Sequence, residues 1–160
     1  VFVAIVLTQP AEPWWPRSAW AGQALGFCET TLPFAIYFVA FESGRRGATP
    51  GKRALGLAVT TLDGGRAQRR SAVVRTVAKL LPWELGHTAA HRMVAAELAG
   101  GAPPTWSYAL AIAAMALALA WAATLFGGGR TPYDRLAGTR VVRIPAGGRI
   151  HTAPAAKGPA

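Results

Sequence analysis

Ten residues, Pro82 to His91, read PWELGHTAAH and gather one carboxylic acid and two imidazoles. In a helix, at about 100° per residue, Glu84, His87 and His91 share one face within about 60°. Three chemistries fit that spacing. In the first, Glu84 accepts hydrogen bonds from His87 or from a neighbouring helix, and the face packs inside a bundle. In the second, the carboxylate and imidazoles carry protons or cations, since histidine titrates near neutral pH. In the third, Glu-x-x-His and His-x-x-x-His place oxygen and nitrogen ligands on one side, as zinc or iron requires. A fourth ligand would then come from elsewhere, and Glu29 is the candidate. The order is not the His-Glu-x-x-His of zinc proteases. All three readings stay open at this point.

The elements that would position these groups are apolar. Ser107 to Phe126 reads SYALAIAAMALALAWAATLF, twenty residues without a charge. As a helix it spans about 30 Å, the thickness of a bilayer core. Its alanines favour packing against other helices over facing lipid all round. A second span runs from Ala24 to Phe41 and contains Glu29 and Pro33. Glu29 is expected either to face the Glu84 cluster or to snorkel outward. Pro33 is expected to kink the span, and Cys28, the one cysteine, to pack as a small residue. Val1 to Leu7, VFVAIVL, is apolar but too short to cross. The expectation is a chain that opens inside a membrane helix.

Charge sets the expected orientation. Ser43 to Lys79 holds nine Lys/Arg against Asp63 alone, and 127–160 holds six against Asp134 alone. Thr8 to Gln23 holds only Arg17 and Glu12, with Trp14, Trp15 and Trp20. Interfacial tryptophans suit the outer face, and the two basic segments suit the cytoplasm. The chain between them must then cross an even number of times. Val73 to Leu98 is expected to be an amphipathic helix that enters the membrane near Leu80. Pro82 is expected in or just before a first turn, and GGAPPT at 100–105 turns the chain outside. The rival is a helix lying flat in the interface. Arg75 and Lys79 are read as headgroup contacts. A net charge of +10 could suggest nucleic acid, but cations flanking spans serve orientation and anionic lipid instead. The expected partners are membrane lipids, with a homo-oligomer open and no nucleic acid.

Two short runs are β-like. Leu55 to Leu62 is β-branched at Val59, Thr60 and Thr61 and ends at the Asp63-Gly64-Gly65 turn signal. Gly138 to Ile144, GTRVVRI, is the other. A lone strand leaves half its backbone unpaired, so the two runs are expected to pair at the cytoplasmic surface. Asp134 is expected to cap the turn before the last strand or to pair with Lys52, Arg53 or Arg75.

These residues also carry a resemblance. Gly47 to Val59, GATPGKRALGLAV, holds Thr49, Pro50, Gly51, Lys52 and Gly56. Arg75 follows in a helix, then YDRLAGTRVV with Asp134, Arg135, Gly138 and Thr139. Together they resemble the RDD family of small integral membrane proteins, from about the second span to Ile144. Asp134 matches the family's last aspartate, while its arginine and first aspartate fall ahead of this chain. The resemblance implies a transport role, with ions as the cargo class.

No nucleophile elbow, cysteine–histidine pair or second metal motif appears, so an enzyme is not expected. Lys52 after Gly51 lacks the full phosphate-loop spacing. The reading is an all-α integral membrane helix bundle with about four membrane helices, the first truncated, and a small cytoplasmic β-strand pair. Residues 1–144 form the RDD-like membrane domain, and the Pro-, Gly- and Ala-rich 145–160, with His151, forms a disordered tail. Three functions are carried forward. The first is a small ion or proton-coupled transporter subunit using Glu29, Glu84, His87 and His91, in a bacterial-type plasma membrane. The second is a non-catalytic adaptor acting through the basic cytoplasmic face. The third is a metal-binding membrane protein holding zinc or iron through Glu84, His87 and His91.

Overall fold

The computed structural model describes residues 18–126 and 130–144. The expectations for Val1 to Leu7, Trp14, Trp15 and the 145–160 tail lie outside the described residues. Helix α1 runs Ala19–Glu42. A short helix α2 (Pro50–Ala54) and strand β1 (Leu57–Thr61) follow. Helix α3 (Arg69–Leu98) is the longest element, and α4 (Thr105–Ala123) returns beside it. A short α5 (Pro132–Leu136) and strand β2 (Thr139–Arg143) close the described chain.

Two of these helices, α1 and α4, are long and apolar enough to cross a membrane. Only 6% and 11% of their most apolar windows are buried. A soluble core helix of that composition would be mostly buried, so these faces suit lipid or another helix.

The middle of α1 is not α-helical. Phe27–Thr31 forms a π turn, closed by the Leu32 N–H bonding to the Phe27 carbonyl. Pro33 follows at once and has no N–H to give the Glu29 carbonyl. The irregularity expected at Pro33 thus sits in the turn just ahead of it. It leaves Thr31 buried and Cys28 and Glu29 exposed, so Cys28 does not pack inside the bundle.

Helix α3 has 30 residues and is about 45 Å long. Pro82 stands in its interior, not near its first turn as the sequence suggests. An interior proline forfeits one backbone bond. Here Pro82 is buried and lines a groove with Ala118 and Trp121 of α4, so packing overrides the local penalty. Gly100 (φ 70°) ends the helix, and Gly101 N–H bonds the Ala96 carbonyl at 2.9 Å. That six-to-one closure reverses the chain tightly. Helices α3 and α4 then run antiparallel. Gly86 faces Ala114, where a Cβ would meet the alanine methyl at 3.9 Å.

The expected strand pair forms. β1 and β2 are antiparallel, with Leu57 opposite Arg143 and Val59 opposite Val141. Val59 is fully buried. The Asp63-Gly64-Gly65 turn also forms, with Gly64 at φ 85° and a bridge between Thr60 and Arg66.

Candidate functional site

Polar side chains gather in two places, both built on α3. The first lies where α3 meets the π turn of α1. The Thr31 hydroxyl donates to Glu84 Oε1. His87 Nδ1 stands 3.9 Å from the same oxygen, and the His87 and His91 ring centroids are 6.0 Å apart. One turn along, Gln23 Nε2 donates to the Thr88 hydroxyl at 2.6 Å, which donates to the Glu84 carbonyl at 2.9 Å. Gly26 permits the close approach: a Cβ there would stand 3.1 Å from His91 Nε2. The result is a file of oxygen and nitrogen atoms along the α1–α3 seam. Glu84 and His87 are about one quarter exposed, and His91 is buried. Trp20 extends the seam, with the Arg92 guanidinium 3.8 Å above its ring.

The second cluster joins five charges at the other end of the seam. Glu42 is fully buried. Its Oε1 accepts from Lys52 Nζ at 2.6 Å, with Lys79 Nζ at 3.6 Å, and its Oε2 accepts from Arg75 Nε at 2.9 Å. The other arm of Arg75 pairs with Asp134 Oδ1. Asp134 in turn accepts from the Thr131 and Thr139 hydroxyls at 2.6 and 2.8 Å. The Lys79 ammonium lies 3.2 Å from the Phe38 ring centroid, and Arg75 stacks over Tyr133 at 5.0 Å. Burial pushes the Lys52 ammonium below the ordinary lysine range, against the pull of Glu42. Buried ions must be paired and hydrogen-bonded to be tolerated. This cluster meets that condition while joining α1, α2, α3, α5 and β2.

Several expectations are corrected by these contacts. Arg75 is 2% exposed and fully engaged inside the protein, and Lys79 reaches Glu42. Neither is a headgroup contact. Glu29 is exposed, and Thr31 is the α1 residue that bonds Glu84. Glu84, His87 and His91 do share a face, as their spacing requires. Among the described residues, however, no group of three or more His, Cys, Asp or Glu could hold a metal ion. The tetrahedral reading with Glu29 as fourth ligand therefore has no support. The Asp134–Arg75 pair forms as one of the anticipated pairings.

Sequence reasoning missed Glu42 and Thr31. Glu42 sits one residue past an apolar run and ahead of nine cations. A lone acid there is a signal for an ion-pair anchor, though it reads first as a span boundary. Thr31 could not be separated from Thr30 without the π turn.

The motif glycines and threonines have plain backbone roles. Thr49 caps α2, accepting from Lys52 N–H at 3.4 Å, with Pro50 in the first turn. Gly56 and Gly138 both adopt φ 64°, which a side chain would resist. Arg135 is exposed and donates to the Arg130 carbonyl.

A family model described as RDD family matches residues 1–138. No curated protein and no solved structure matches the chain.

Proposed function

The chain belongs to the RDD family, and from that premise and its two apolar, membrane-associated helices we propose a small transport subunit for protons or proton-coupled ions. The route is the α1–α3 seam. One observation carries the reading: the Glu84 carboxylate lies part-buried between two helices, bonded by Thr31 and flanked by His87. Ionisable groups at membrane depth are costly and mark ion pathways or proton relays. A π turn at the point of contact is a further sign, since such turns concentrate at functional sites.

The proposal requires α3 to cross the membrane beside α4. Three features support this. The two helices run antiparallel after a short turn, α4 is apolar throughout, and α3 is longer than the bilayer core. The basic segments around the sheet then face the cytoplasm of a bacterial-type plasma membrane. In this arrangement Glu84, His87 and His91 lie deep, and the five-charge cluster sits at the cytoplasmic boundary as a clamp.

The test is proton flux in proteoliposomes. Glu84→Gln keeps the shape and the Thr31 contact but cannot exchange a proton. Flux should fall at least tenfold while the melting temperature holds. Unchanged flux in a folded Glu84→Gln protein removes the reading. A second reading, the adaptor, is favoured by the exposed arginines around the sheet, Arg45, Arg46, Arg53, Arg140 and Arg143. It predicts that Glu84→Gln is silent and that neutralising those arginines abolishes binding to vesicles of anionic lipid.

A further inference from the structure

Helix α1 is held to α3 in different ways on the two sides of its π turn. The inner half, 32–42, ends in the five-charge cluster. Glu42 is fully buried against Lys52, Arg75 and Lys79, and the Lys79 ammonium also lies on the Phe38 ring. The outer half, 19–26, carries no charged side chain. It meets α3 through the neutral Gln23–Thr88 hydrogen bond, through Trp20 under the Arg92 guanidinium, and through Gly26 against His91. A neutral hydrogen bond and a cation–π contact are each worth less than breaking a buried ion cluster costs. The inner half is therefore the fixed part of α1, and the outer half is the part free to shift.

The joint between them has two forms. A π turn holds one residue more than an α turn. Here the Leu32 N–H bonds the Phe27 carbonyl; in an α turn it bonds Cys28 instead. The exchange keeps the backbone bond at Leu32. Pro33 has no N–H to give the Glu29 carbonyl, so the ladder is already open at this point.

With the inner half fixed, closing the π turn rotates the outer half by about 100° and moves it outward by about 1.5 Å. Each outer residue yields its place to the next. Ala24 replaces Gln23 opposite Thr88, which ends that hydrogen bond. Ala21 replaces Trp20 beneath Arg92. Phe27 replaces Gly26, where even a Cβ would stand 3.1 Å from His91 Nε2. A phenyl ring does not fit that space, so the outer end of the seam parts. Thr31, on the fixed side of the joint, keeps its bond to Glu84.

We propose that the π turn of α1 is a hinge and that the outer half of α1 is a gate over His91. In the π form Gly26 lies against His91, which is buried. In the α form Phe27 wedges the two helices apart and opens His91, while Thr31 still holds Glu84. As a gate it rests on the transport reading, where it alternates access to the seam. As a hinge it stands on the contacts alone.

The experiment measures distances between nitroxide pairs by pulsed electron spin resonance. It uses the full polypeptide in liposomes at low protein-to-lipid ratio, with a Cys28→Ala parent. Ala21→Cys with Met115→Cys reads the outer half against α4, and Tyr37→Cys with Met115→Cys reads the inner half. All three sites are exposed. The first pair should show two populations several ångströms apart, and the second pair one. Gln23→Ala removes a bond made only in the π form. It should favour the other population by about fivefold, the equivalent of one ordinary hydrogen bond. Deleting residue 28 takes the extra residue out of the turn and keeps every outer residue in its present place. That variant should show a single population, and its proton flux should fall by about tenfold or more with the melting temperature held. One population in both the parent and Gln23→Ala overturns the hinge, as does a second population that survives the deletion. Unchanged flux in a folded deletion variant overturns the gate. If the deletion variant melts far below the parent, the comparison of parent and Gln23→Ala decides. A parent without flux refutes the transport reading, and the distances still decide the hinge.

Discussion

Glu42→Gln isolates the electrostatics of the clamp. The substitution keeps the volume and removes one negative charge from a fully buried site. Two direct charge-assisted bonds, at 2.6 and 2.9 Å, lose their ionic partner, as does the Lys79 ammonium at 3.6 Å. The five-charge cluster goes from a net charge of +1 to +2, with Asp134 as its one remaining anion. Breaking a buried ion pair by removing one partner costs about 3–5 kcal/mol. At roughly 2–4 °C per kcal/mol for a chain of this size, the melting temperature should fall by on the order of 10 °C. Intrinsic tryptophan fluorescence of the detergent-purified protein reads this directly. Lys79→Met is the internal control. Lys79 is 21% exposed and makes the longest of the three contacts, so alone it should cost about 1 kcal/mol or less. Combined with Glu42→Gln, it removes a cation that has lost its counter-charge, so the double variant should be more stable than Glu42→Gln alone. A Glu42→Gln protein that melts within about 2 °C of the parent would refute the clamp. So would a double variant whose losses merely add.

Three other perturbations follow from the same contacts. Asp134→Asn should lower stability by about 3 kcal/mol in chemical unfolding, because it leaves one arm of buried Arg75 without a counter-ion; a change below about 0.5 kcal/mol would contradict that. Gly26→Leu should force α1 from His91, since even a Cβ would stand 3.1 Å from its Nε2. It should reduce proteoliposome flux more than Gly51→Ala, where nothing lies within 4 Å. Thr131→Ala removes a helix cap and an Asp134 hydrogen bond together. It should cost about 1–2 kcal/mol, more than Thr124→Ala, whose hydroxyl bonds only a local carbonyl at 2.7 Å.

Much of the architecture was legible in composition. An uncharged run of twenty residues and a second apolar span announce α4 and α1, because backbone groups in lipid must be satisfied within a helix. The strand pair was legible from β-branched residues and from the need to pair two isolated runs. Pro82 was misplaced because local preference puts proline in a first turn, whereas packing against Trp121 and Ala118 keeps α3 continuous through it. Glu42 was passed over because its importance comes from three cations on two other elements, which spacing along the chain cannot reveal. Arg75 and Lys79 were read outward for the same reason. Glu29 and Thr31 were confused because a π turn shifts which residue faces the neighbour.

The account turns on whether α3 crosses the membrane, since a helix lying in the interface would leave Glu84 wet. The direct measurement is sidedness of labelling in oriented vesicles, in a Cys28→Ala background. One cysteine replaces Gln68 at the start of α3 and another replaces Gly101 just past its end. An impermeant maleimide added outside should label one position and spare the other, with the pattern inverted in inside-out vesicles. Labelling of both positions from the same side would place α3 along the surface and contradict the account.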